Sequence, residues 1–207
     1  MSTQVGKLPG VILAGGRATR MGGGDKCLRL VGGMTLLARV IARLGPQCGA
    51  LALNANGDAA RFASFGLPAL ADSVAGFPGP LAGVLAGMDW AHGLGARVIV
   101  SASADTPFLP IDLVARLQAA AGPAGLALAA SPDPQGGMSR QPTFGLWPVA
   151  LREDLRAALA GGLRKVVDWT DRHQAGVAEF AALPVDPFFN VNTPDDIIEA
   201  ERLAGLA

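Results

Sequence analysis

Cysteine and histidine are scarce: the 207 residues include two of each. Cys27 and Cys48 have neither zinc-ligand nor Cys-x-x-Cys spacing, which argues against a thiolate metal site or a dithiol redox centre. His92 and His173 lie far apart, and no Gly-x-Ser-x-Gly or His-Glu-x-x-His occurs. Both histidines are read as structural or surface residues. An excess of one charge is also missing, since 17 Lys+Arg stand against 17 Asp+Glu. That balance argues against broad nucleic-acid or membrane-surface binding, while leaving room for a local cationic pocket. No apolar run reaches the roughly 18 residues of a membrane span. Residues 1–9 lack the long apolar core of a secretory signal. The expectation is a cytoplasmic chain with reduced thiols.

What is abundant is apolar and small. Half the residues are hydrophobic and 16% are charged, a composition that buries a core rather than staying disordered. The length suits one domain, 1–207, with no internal repeat and no break in composition. Gly 28 and Pro 15 predict many short loops.

Apolar runs at 11–14, 50–53, 68–71, 97–100 and 126–130 read as strands. Helical spacing predicts helices over 34–44, 81–90, 110–121, 151–159, 163–169 and 195–203. In the last of these, Thr193 is the expected cap and Pro194 lies in the first turn. Residues 143–147, 177–180 and 188–189 are further strand candidates, and 58–62 a short helix capped by Asp58. Strand–helix alternation predicts a Rossmann-like, open and mostly parallel α/β sheet flanked by helices, with right-handed crossovers.

The stretch after the first strand, Gly15 to Lys26, holds five glycines and the cations Arg17, Arg20 and Lys26. Glycine lets a ligand approach the main chain, successive N–H groups converge on an anion, and the cations neutralise phosphate oxygens. The stretch is neither a P-loop nor a dinucleotide fingerprint, because Cys27 follows Lys26 and stands where a third glycine would be needed. A flexible glycine turn with solvated charges is the plainer alternative.

Other polar residues fall at the carboxyl ends of later strands, where open α/β sheets bind ligands. Asn54 and Asn56 follow the second strand, Asp72 the third and Asp105 the fourth. Each has an ordinary reading as a turn or cap residue. As ligands, the asparagines offer hydrogen bonds to base or ribose, and Asp72 accepts from a base amino group or sugar hydroxyl. Asp105 offers the hard carboxylate that Mg²⁺ takes beside phosphate and water. In Asn190-Val-Asn-Thr-Pro194, an extended chain would point Asn190 and Asn192 the same way.

The pattern Leu13-Ala-Gly-Gly-x-x-x-Arg20-Met-Gly-x-x-Asp-Lys26 resembles the signature loop of nucleoside-triphosphate-dependent nucleotidyltransferases, above all the molybdenum cofactor guanylyltransferases. Asp105-Thr-Pro107, Gly79-Pro-Leu-Ala-Gly83 and Asn190-Val-Asn192 resemble further segments of that family. Ser103 and Ala104 depart from the cysteine-containing version, and the carboxylate stays in place.

The resemblance covers about residues 10–200 and implies a nucleotide-diphospho-sugar transferase-like fold. It implies a nucleotide site of Leu13, Ala14, Gly15, Gly16, Lys26, Asn54, Asp72 and Asp105, with Mg²⁺ (or Mn²⁺ in its place) on Asp105. Arg20, Lys26 and Asp105 are the expected catalytic groups. Asn190 and Asn192, with Arg140 and the pair Arg164-Lys165, are expected near the acceptor, although for the basic pair a solvated helix face is the stronger single explanation. The implied reaction moves GMP from GTP to the phosphate of Mo-molybdopterin, in a monomer with transient contacts to cofactor-insertion or apo-enzyme partners. Rivals are a cytidylyltransferase for the same acceptor, a sugar-phosphate nucleotidyltransferase, and a nucleotide- or cofactor-binding module without chemistry.

Overall fold

A computed structural model describes residues 7–15, 25–74, 79–133 and 136–205. Its centre is a seven-stranded sheet of β1 (Pro9–Leu13), β4 (Ala50–Asn54), β5 (Ala69–Leu70), β6 (Val98–Ser103), β7 (Ala127–Pro132), β8 (Met138–Pro148) and β9 (Gly176–Glu179). The strand order is β5-β4-β1-β6-β8-β7-β9. The pairs β5–β4, β4–β1, β1–β6 and β7–β9 are parallel; β8 alone runs against its neighbours β6 and β7. The expected mostly parallel sheet is present. The chain leaves β1 toward β4 on one side and later returns to β6 on the other, so the ends of β1 form a topological switch point.

Alternation along β1 assigns the two faces. Val11 and Leu13 meet α2 (Pro80–Gly93), α4 (Arg152–Ala160) and α5 (Val166–Arg172) through Leu81, Val84, Leu85, Met88, Leu155, Leu159 and Trp169. Ile12 points the other way, into a core with Leu37, Val40 and Leu44 of α1 (Leu36–Leu44) and Leu113, Val114 and Leu117 of α3 (Leu113–Ala119). A third cluster joins α6 (Pro194–Ala204) to Val31, Leu36, Phe108 and Val191. The buried indole N–H of Trp147 donates to Ser101 Oγ at 2.7 Å, and that hydroxyl donates to the Thr143 carbonyl at 2.8 Å. Both polar groups are thereby satisfied inside the β6–β8 pair.

Several boundaries differ from the sequence expectation. Met34 does not open a helix: β2 (Leu30–Val31) and β3 (Met34–Thr35) form a hairpin, with Gly32 and Gly33 at φ +55° and +77°. Two positive φ values in a two-residue turn suit the twist of a tight hairpin, and glycine adopts both without strain. Thr35 then caps α1, its Oγ1 accepting from Ala38 N at 3.1 Å. Gly45 does not end the coil outright, since a 3-10 turn continues through Gln47.

Helix α3 begins at Leu113 rather than 110. Its free Val114 N–H is satisfied by Gln47 Oε1 at 3.0 Å, a partner from the α1 end. Residues 188–189 make no strand: Phe188 packs 4.8 Å from Phe144 and 5.3 Å from Phe180, ring centre to ring centre, as a plug in a loop. Asp58 caps as expected, accepting from Ala60 N, over a 3-10 helix Ala59–Phe65.

Candidate active site

The parallel strands remain joined just beyond their carboxyl ends. Ala14 N donates to the Asn54 carbonyl at 2.9 Å, and Ala104 N donates to the Leu13 carbonyl at 3.0 Å. Leu13, Ala14 and Gly15 therefore sit between the residues that follow β4 and those that follow β6. Gly16, Arg17 and Arg20 lie outside the described residues.

On the β4 side, three predicted residues meet. Asn54, 4% exposed, donates from Nδ2 to Asp72 Oδ1 at 2.9 Å and to the Leu70 carbonyl at 3.2 Å. Asn56 Nδ2 donates to Asp72 Oδ2 at 2.7 Å, and Asp72 N donates back to Asn56 Oδ1 at 2.9 Å. Each carboxylate oxygen of Asp72 is held by one amide, which fixes the plane it presents. Gly83 backs this arrangement: a Cβ there would stand 2.8 Å from Asn54 Cγ and 2.9 Å from Leu13 Cδ2. Glycine is required for α2 to seat this closely against Asn54.

On the β6 side, Lys26 forms an ion pair with Asp105 Oδ2, and its ammonium donates to Asn192 Oδ1 at 2.6 Å. The two side chains are 13% and 15% exposed, so water screens the pair less than it would a surface pair. Ser103 Oγ donates to Asp105 Oδ1 at 2.5 Å, with the Thr106 hydroxyl at 3.4 Å. Lys26 lies in a 3-10 turn, Lys26–Leu28, that follows the glycine stretch directly.

Asn192 is delivered by the cap of α6. Its backbone N–H and that of Thr193 both donate to Asp196 Oδ2 at 2.8 Å, while Asp196 N donates to Thr193 Oγ1 at 3.2 Å, a reciprocal capping box. Burial alone would raise the Asp196 carboxyl; the hydrogen bonds from Asn192 and Thr193 and the nearby Lys26 charge outweigh it and hold it below the usual range. Val191 N donates to the Asp105 carbonyl at 3.0 Å, so the two segments are tied through backbone as well.

The extended strand expected under Asn190 and Asn192 is absent: they are loop residues flanking buried Val191, and Asn190 is exposed. Only Asn192 contacts Lys26. The basic acceptor candidates have other contacts. Arg140 of β8 forms a two-point ion pair with Asp171 of α5. Lys165 is the residue before α5, and Arg164 donates to the adjacent Leu163 carbonyl at 3.0 Å. None of the three is a partner of Lys26 or Asp105.

No group of three or more His, Cys, Asp or Glu side chains suited to a metal is found among the described residues. Asp105 is therefore a single hard carboxylate. That is a poor cage for a structural metal and fits an ion that takes one or two carboxylates and fills its remaining positions with phosphate and water.

A protein-family model described as a MobA-like NTP transferase domain matches residues 10–176. The chain belongs to the MobA-like NTP transferase family. It is 58% identical over 201 residues to a molybdenum cofactor guanylyltransferase of Rhodopseudomonas palustris (strain BisB5), with 95% of this chain and 93% of that relative covered. Identity is 55% over 204 residues with the protein of the same name from Bradyrhizobium sp. (strain ORS 278), covering 96% and 94%. Among solved structures, molybdopterin-guanine dinucleotide biosynthesis protein A from Archaeoglobus fulgidus matches with a TM-score of 0.73 at 21% identity, covering 97% of this chain and all of that one. The 2-C-methyl-D-erythritol 4-phosphate cytidylyltransferase of Thermus thermophilus gives 0.69 at 22% identity, covering 96% and 99%; these likenesses concern the fold alone.

Within this MobA-like chain, the sequence assigned no role to four supporting residues: Ser103 behind Asp105, Asp196 behind Asn192, Gly83 behind Asn54, and Arg61. Ser103 was the most readable: two residues before Asp105, at the end of a strand, its side chain leaves on the same side.

Proposed function

We propose that this chain transfers GMP from GTP to the terminal phosphate of Mo-molybdopterin and releases pyrophosphate. The observation that carries the reading is the shielded Lys26–Asp105 ion pair at the switch point, within a chain whose full-length relatives bear the name molybdenum cofactor guanylyltransferase. The acceptor phosphate is already an anionic nucleophile, so the residues' task reduces to alignment and charge neutralisation.

In this reading the main chain of Leu13, Ala14, Gly15 and Gly16 approaches the triphosphate, and Lys26 with Arg20 offsets charge as pyrophosphate leaves. The clamped Asp72 carboxylate and Asn54 face the nucleoside. Asp105 would hold Mg²⁺, or Mn²⁺ in its place, and when bound the ion would withdraw charge from phosphate oxygens. Asn192, already on the Lys26 ammonium, is the asparagine best placed for the acceptor side. Asn190 and the basic residues Arg140, Arg164 and Lys165 would contribute only by reaching in from the surface. Arg140 would first have to leave Asp171.

We read the chain as one domain, since α6, beyond the family-model match, packs on Val31, Leu36 and Phe108. We also read it as a cytoplasmic monomer that meets cofactor-insertion or apo-enzyme partners transiently. No helix among the described residues is long and apolar enough to cross a membrane.

The test is pyrophosphate release from purified protein, Mg²⁺, the molybdopterin acceptor and each NTP in turn. Release with GTP alone is expected. Release with CTP would reassign the chain as a cytidylyltransferase, and nucleotide binding with no release would make it a binding module.

A further inference from the structure

We infer that Arg61 is a positioning residue that fixes the distance between the triphosphate end and the nucleoside end of the site. Arg61 lies in the 3-10 helix Ala59–Phe65, outside both halves of the site, and its guanidinium uses three different N–H edges on three chain points. Nε pairs with Asp25 Oδ2 at 2.7 Å. Nη2 donates to the Asn56 carbonyl at 2.7 Å, and Nη1 donates to the Asp58 carbonyl. The planar group lies over Phe62, 4.6 Å from the ring centre, and Phe62 is itself 2% exposed. The fork is thus held against the core rather than swinging in solvent.

The three partners explain the assignment. Asp25 is the residue immediately before Lys26. Asn56 is the residue whose amide clamps Asp72 by two hydrogen bonds. One side chain therefore connects the segment bearing Lys26 with the segment bearing Asn54 and Asn56, whose amides hold Asp72. A ligand gripped at both ends gains from each grip only if their spacing is preset, because the second contact is then made at high effective concentration. Lysine cannot replace this residue, since a point charge satisfies Asp25 without holding two carbonyls in one plane.

The inference rests on GTP as the ligand, and its test is one of binding, independent of the acceptor. GTP, tripolyphosphate and guanosine are titrated with Mg²⁺ into the wild type, Arg61→Met, Arg61→Lys and Asp25→Asn, with circular dichroism confirming the fold. Arg61→Met and Arg61→Lys are expected to weaken GTP by about tenfold, while each fragment ligand changes by less than about twofold. In turnover, KM for GTP rises with kcat nearly constant.

A loss for one fragment ligand as large as the loss for GTP would overturn the inference, because Arg61 would then support one local subsite; an equal loss for all three would overturn it too, as a general loss of binding-competent protein. Unchanged GTP affinity would overturn it as well, and so would a fall in kcat at constant KM, the mark of a reduced folded fraction. If Arg61→Met does not fold, Asp25→Asn decides, since it leaves Arg61 in place and reduces the link to the Lys26 segment from an ion pair to a neutral hydrogen bond. A wild type that binds GTP and transfers nothing would refute the proposed reaction and leave this comparison valid; a wild type that binds no GTP would end both.

Discussion

The Lys26 ammonium sits between the Asp105 carboxylate and the Asn192 amide oxygen, with 13% of its side chain exposed. A cation so placed loses little further solvation when an anion arrives, so a phosphate oxygen gains nearly the full charge-assisted hydrogen bond. Lys26→Ala is expected to weaken GTP binding by about 1.5–3 kcal/mol, roughly 10- to 100-fold. Isothermal titration with Mg²⁺ present measures this directly, and an unchanged affinity would remove Lys26 from the triphosphate site. Lys26, Asp105, Asn54 and Asp72 were legible from the sequence because each follows an apolar strand or lies in a recognisable segment. Arg61 was not, because its three partners come from the Lys26 segment and from two loop carbonyls, a set no spacing rule brings together. Arg140, expected near the acceptor, is engaged by Asp171 in the fold, a pairing that no sequence spacing shows.

Among the elements, α2 shows how packing can override local preference. Leu81, Val84, Leu85 and Met88 are buried, and Gly83 and Gly87 let the helix lie against β1, where a Cβ on Gly87 would stand 2.7 Å from Val11 Cγ1. On helix propensity alone, Gly83→Ala should stabilise by about 1 kcal/mol. The observed seat predicts the reverse, because the new methyl meets Asn54 and Leu13 closer than ordinary contact distance and α2 must move off. A net loss of about 1–3 kcal/mol is expected in urea unfolding. KM for GTP should rise too, as Asn54 is pushed from Asp72. A variant as stable as the parent would show that the seat yields more easily than its geometry implies.

The same priority of tertiary over local signals explains the elements that sequence reading missed. Gly32-Gly33 marked a hairpin, yet the apolar spacing of Met34 with Leu37 matched a helix and drew the boundary too early. Phe188 and Phe189 have strand composition, but Phe188 is spent on Phe144 and Phe180, which only the folded chain brings near. The reversed direction of β8 follows from the short connection that returns it beside β7.

At the scale of the whole molecule, both cysteines belong to the core on the α1–α3 face, 4% and 7% exposed, one beside Lys26 and one before β4. Burial pushes each thiol up from 9.0 to about 12, with the Asp25 charge adding to the rise at Cys27. A group whose ionisation is delayed by folding contributes stability that is complete below its unfolded value and is lost as pH climbs toward its folded value. Global stability should therefore hold to about pH 9 and then decline toward about pH 12, each thiol contributing a slope of about 1.4 kcal/mol per pH unit. The informative quantity is a difference between two proteins. Urea unfolding of the wild type and Cys48→Ala at steps between pH 8 and pH 11 should give curves that run parallel below about pH 9 and converge above it, since the variant lacks one of the two ionisations. Curves that stay parallel throughout would mean that Cys48 ionises as freely in the folded chain as in the unfolded one, and that the core on this face admits water.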